Sequence, residues 1–127
     1  MLFRSRREEA RLLRRHLDKI FDRQGKPNIV LYGDFNEHSN EPAIREILGN
    51  STQQSYMLEI RVKDSDNLLW THFWAAADVY SRLDYFFVSR NLRPRIKLEN
   101  SYIFRHPEYY TASDHRPLVL SLEVPTP

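Results

Sequence analysis

A chain of 127 residues, 28% charged and 41% hydrophobic, has the material for one small globular domain with a single core. It contains no cysteine, which excludes disulfides, thiolate zinc sites and a cysteine nucleophile. No apolar run approaches the roughly 18 to 20 residues that a bilayer span needs. The net charge of +2 is uneven: through Arg23 there are eight Lys/Arg against four Asp/Glu, and beyond it eleven against thirteen. The opening MLFRSRREEARLL lacks the apolar centre of a secretory signal, so localisation stays open.

Residues 5–24 read as an amphipathic helix, with Leu12, Leu13, Leu17, Ile20 and Phe21 at helical spacing and Gly25 and Pro27 ending it. Its arginines suit either phosphate contact or a solvated face. A buried strand is expected over Asn28 to Tyr32, and Asp34 and Asn36 follow at its C-terminal end. Ser39 or Asn40 is placed to cap a short helix over Pro42 to Leu48, closed by Gly49. Residues 50–66 hold at most a short strand or helical turn around Met57 to Val62. Leu68 to Trp74 reads as extended and Ala75 to Ser81 as a small-residue connection. Leu83 to Ser89 is rich in aromatic and β-branched residues, as a central strand is. Tyr102 to Phe104 and Leu118 to Val124 are expected strands, with a loop over 105–113. Neither repeats nor low-complexity stretches interrupt this order, which predicts a mixed α/β layer structure.

Three segments share one pattern, an apolar strand meeting a small polar cluster: GDFN (33–36), SRLDY (81–85) and SDHRP (113–117). Taken singly, an aspartate at a strand end is an ordinary turn former. Together, Asp34, Asn36, Asp84, Asp114 and His115 would be costly to bury unless an ion or a substrate compensates them. Strand ends are also where α/β layer proteins place their sites. A set of oxygen donors with one imidazole suits a hard divalent cation, Mg²⁺ or Mn²⁺. Such an ion favours attack of water on a phosphoester.

On Tyr32-Gly33-Asp34-Phe35-Asn36, Trp70-Thr71, Ser81 to Ser89 and Ala112 to Leu118, taken in this order, the chain resembles the endonuclease/exonuclease/phosphatase family with its DNase I-like fold. The resemblance covers nearly the whole chain. It implies that Asp34 orients or deprotonates the attacking water and that Asn36 binds phosphate or fixes Asp34. Asp114 would contribute to the metal site together with Asp34 and Asn36. His115 would contact the scissile phosphate, and Asp84 would hold the His115 ring in one tautomer. Thr71 and Arg82 would stand behind these or on the phosphate side, Arg82 equally as a structural salt-bridge residue. Trp70, Phe73, Trp74 and Tyr80 would either stack on a base or sugar or fill the core.

Members of this family are longer, built from two similar α/β halves packed sheet to sheet. Residues 1–127 match the C-terminal half: one half of a four-layer α/β sandwich, its mostly antiparallel sheet covered by helices. The principal metal-binding glutamate of the other half has no counterpart here; Glu8, Glu9 and Glu37 lie elsewhere, and His16 sits on the first helix. Mg²⁺ or Mn²⁺ is therefore expected to bind weakly, and the isolated chain to be weak or inactive on its phosphoester (nucleic acid, phospholipid or sugar phosphate). One sheet face should lack its covering sheet, favouring association with the missing half or with itself. A stand-alone binding module on this fold is the alternative. A nucleic-acid-binding domain built on the arginine-rich helix fits less well, since Glu and Asp interrupt its basic residues.

Overall fold

The computed structural model describes residues 6–124. Helix α1 (Arg6–Gln24) leads through a turn into β1 (Val30–Asp34), and α2 (Pro42–Leu48) precedes β2 (Met57–Ile60). A hairpin of β3 (His72–Trp74) and β4 (Val79–Ser81) comes next, then β5 (Asp84–Ser89), β6 (Tyr102–Ile103) and β7 (Leu118–Val119). Among the described residues all strand pairings are antiparallel, in a three-stranded sheet ordered β1-β5-β2 and two separate two-stranded ladders, β3-β4 and β6-β7. The layers are those of a mixed α/β domain.

Strand β5 is central because it pairs with β1 on one edge and β2 on the other, and both its faces are buried. Tyr85 and Phe87 point to the helices, where Leu17, Phe21, Ile44, Ile47 and Met57 close the core. Phe86 and Val88 point the other way, against Ile60, Leu92, Ile96 and Ile103. A strand covered on both sides needs no alternation of polar residues, hence the continuous apolar run. Each fully buried large side chain, Phe87, Ile44 and Met57 among them, adds about 1.5 to 3 kcal/mol.

The first helix follows its apolar pattern with one exception. Leu12 is 45% exposed, whereas Arg14 is buried. The Arg14 guanidinium donates to the carbonyls of Ile47 (3.0 Å), Leu48 (3.2 Å) and Ser55 (2.6 Å) and pairs with Asp18. It thereby satisfies the last carbonyls of α2 and sits at the negative end of that helix. Gly49 makes the arrangement possible: its φ is +87°, and a Cβ there would lie 2.8 Å from an Arg14 nitrogen.

Several expectations need correction. Neither Ser39 nor Asn40 caps α2; Glu41 holds that position without a side-chain bond, and Pro42 begins the helix. The connection over 75–81 contains strand β4, made possible by Asp78 in the left-handed conformation (φ 53°) after a short 3₁₀ turn. Trp74 and Tyr80 are more than half exposed on this hairpin and do not fill the core. The second sheet face is not bare, because residues of the 92–122 segment cover β5 and β2. Tyr32, on edge strand β1, remains 71% exposed.

Candidate functional site

Two pieces of the site meet through strand register. In the β1–β5 ladder Asp34 stands opposite Asp84, so both carboxylates leave the sheet at the same end. Beyond Asp34 the chain turns sharply with Asn36 left-handed (φ 53°), a conformation asparagine tolerates. The Asn36 amide donates to Asp34 Oδ1 (2.9 Å), and Arg6 donates to the Asn36 carbonyl (2.8 Å). The Tyr85 hydroxyl lies 2.6 Å from the Glu37 carbonyl and 2.7 Å from that of Arg82, tying this loop to the turn before β5. Burial pushes the Tyr85 phenol up to about 12, so it stays a proton donor.

The third piece arrives from the 113–117 turn. His72 and His115 form an isolated antiparallel bridge, flanked by main-chain bonds from Phe73 to Asp114 (3.0 Å) and from Arg116 to Thr71 (2.7 Å). His115 Nδ1 is 2.8 Å from Asp84 Oδ2, while its Nε2 lies 3.6 Å from Asp34 and 3.9 Å from Asp114. With the Nδ1 proton held by Asp84, Nε2 presents its lone pair to the open side. Partial burial would lower the imidazole's pKa, but the Asp84 hydrogen bond and charge, then Asp34 and Asp114, outweigh it and raise the value above 6.5. Asp114 is held below the usual carboxylate range, first by its hydrogen bond from His72 (Nε2 to Oδ2 3.2 Å).

The other expected residues lie one step back. Thr71 is 1% exposed, and its hydroxyl accepts from the amides of Leu83 (3.0 Å) and Asp84 (3.2 Å), fixing the backbone that presents Asp84. Arg82 pairs with Glu59 on β2 and lies over the Tyr85 ring, which directs it into packing. His16 is exposed on α1.

Three residues escaped the sequence reading. His72 puts a second ring 4.7 Å from His115. Arg116 and Asp64 form an ion pair at 2.9 Å with both side chains 2% exposed. Arg116 also donates to the Trp70 carbonyl at 2.6 Å and lies over the Trp70 ring, while Asp64 accepts the amides of Asp66 and Leu68. The only signal for these in the sequence was position: His72 beside Trp70-Thr71, and Arg116 beside His115.

Asp34, Asp84 and Asp114 find their cationic partners, among the described residues, only in imidazoles. Carboxylates crowded together in this way fit a divalent cation, and the donors of Asp34, Asp84 and His115 lie within 4.8 Å of one another. A cleft of about 240 Å³, lined by Tyr32, Gly33, Asp34, Asp84 and Pro117 among others, opens beside them. The profile of the Endonuclease/Exonuclease/phosphatase family matches residues 2–115.

The chain belongs to that family. Endonuclease/exonuclease/phosphatase proteins are generally metal-dependent phosphoester hydrolases, and the mixed α/β, antiparallel architecture agrees with part of a DNase I-like fold. No curated protein matches the chain. Among the described residues no helix is long and apolar enough to cross a membrane.

Proposed function

We propose that this chain supplies the water-orienting and phosphate-binding side of a site for metal-dependent phosphoester hydrolysis, as the C-terminal half of a family domain. The observation that carries the reading is the convergence of Asp34, Asp84 and Asp114 on His115, with Asp84 on one ring nitrogen and an open face at the other. Asp34 orients or deprotonates the water. Asn36 sits beside it, and its backbone amide steadies the Asp34 carboxylate. His115, kept in one tautomer by Asp84, faces the scissile phosphate and stabilises its developing charge or moves a proton through Nε2. Thr71 supports Asp84 from behind. Asp34, Asp114 and Asn36 would hold Mg²⁺ or Mn²⁺, which supplies polarisation of a phosphoryl oxygen.

Substrate class within phosphoesters, whether nucleic acid, phospholipid or sugar phosphate, would be chosen by the loops over 50–68 and 75–80. The test is hydrolysis of a generic phosphodiester with Mg²⁺ or Mn²⁺, together with the ring signals of His115 in NMR as phosphodiester is added. Weak turnover that Asp34→Ala and His115→Ala each reduce by about 100-fold or more supports the reading. Turnover unchanged in both variants, or His115 signals indifferent to the phosphodiester, overturns it.

A second reading, self-association, is favoured by exposed Tyr32 on a sheet edge. Light scattering tests it: a clean monomer at high concentration sinks the idea.

A further inference from the structure

His72 has no part in the hydrolytic scheme above, yet it is built into the same corner. The antiparallel bridge to His115 and its flanking main-chain bonds fix both backbones, and the rings face each other at 4.7 Å. His72 Nε2 is 3.2 Å from one Asp114 oxygen, and His115 Nε2 is 3.9 Å from the other. Donor atoms of the three residues lie within 4.8 Å of one another. A tetrahedral zinc site with bonds of about 2.0 to 2.1 Å has donors about 3.4 Å apart, so small side-chain adjustments close this one around an ion.

We infer that His72, His115 and Asp114 form a binding site for a borderline transition cation of the zinc class, distinct in donor chemistry from an oxygen-ligated Mg²⁺ site. Two imidazoles and one carboxylate are a zinc-type donor set, whereas Mg²⁺ demands octahedral oxygen ligation and keeps much of its water. Asp84 completes the arrangement from behind. By accepting from His115 Nδ1 it orients the ring and makes Nε2 the better donor, as carboxylates behind metal-bound histidines do. Three protein donors leave a fourth position open toward Asp34, 3.6 Å from His115 Nε2. An ion there would occupy His115 Nε2, so in the metal-bound form the ion's charge, and not the imidazole, would meet the phosphate that the hydrolytic reading places at this corner. The inference shares Asp114 and His115 with that reading but does not require hydrolysis.

Co²⁺ and Zn²⁺ are the probes, titrated into the full chain by visible absorption and by calorimetry. One equivalent of Co²⁺ should give the intense bands of a low-coordinate site, and excess Mg²⁺ should leave them in place. His72→Ala should weaken binding by at least about 100-fold, and Asp84→Asn by about 10- to 100-fold. Circular dichroism is the control for folding of both variants. The exposed His16, His38 and His106 remain in both variants and report any non-specific binding. Co²⁺ affinity unchanged in a folded His72→Ala chain overturns the inference, as does displacement of Co²⁺ by Mg²⁺ at comparable concentration. Because these readouts need no turnover, failure of the phosphodiester assay leaves them standing, and their failure leaves that assay untouched.

Discussion

His115 and Arg116 are consecutive residues, yet they occupy opposite environments. His115 looks out over three carboxylates in a half-open corner, and Arg116 looks inward to Asp64, where both side chains are sealed from water. The two sides are coupled through the backbone: the Arg116 amide binds the Thr71 carbonyl, and the Thr71 hydroxyl holds the amide of Asp84, the carboxylate partner of His115. One short turn thus carries an open, carboxylate-lined face and an anchoring face. Charges left near water can serve chemistry, while a sealed pair serves to hold geometry.

The largest effect expected on that comparison is from Arg116→Ala. It leaves Asp64 buried without its cation and should cost about 3 to 5 kcal/mol in denaturant unfolding. The neighbouring His115→Ala should cost no more than about 1 kcal/mol. Equal costs would remove the distinction between the faces. A second buried arginine provides a check on the anchoring idea. Gly49→Ala forces a side chain into φ +87° and against Arg14, and should cost about 1 to 3 kcal/mol in the same measurement.

The smallest effect is in the pH dependence, where the two faces have opposite signs. Burial raises the Asp64 carboxyl, but the amides of Leu68 and Asp66 and the Arg116 guanidinium outweigh it and leave the value lowered. Its stabilisation is therefore present above the ordinary value of 3.8 and lost as pH falls through the lowered one. His115 is raised, so its contribution is full below 6.5 and lost as pH rises through the raised value. Unfolding midpoints across the pH range should flatten on the acid side in Asp64→Asn and on the alkaline side in His115→Gln.

Much of this was legible in the sequence, for identifiable reasons. The central strand declared itself because both faces of β5 are buried, and α2 because Pro42 and Gly49 mark its ends. Asp34, Asp84 and His115 were readable because polar side chains interrupt apolar strands at motif positions. Arg14 was not, because helical periodicity assigns burial to apolar residues and cannot anticipate a guanidinium serving another helix's carbonyls. Nor was β4: three residues after a run of alanines give no alternation, and its start depends on Asp78 adopting a positive φ. His72 and the Asp64–Arg116 pair depend on contacts between segments 42 and 52 residues apart, which no local pattern encodes.

The pairing of Asp34 with Asp84 at the end of one ladder has a consequence for how such a chain can change over generations. Their separation is set by hydrogen-bond register and not by the number of residues between them. Insertions and deletions over 37–41 or 50–56, on either side of α2, or within the tip of the β3–β4 hairpin, leave that separation intact. A single residue added within β1 or β5 would turn one aspartate to the opposite face of the sheet. Length variation should therefore gather in those connecting segments, while the two strands keep their residue count.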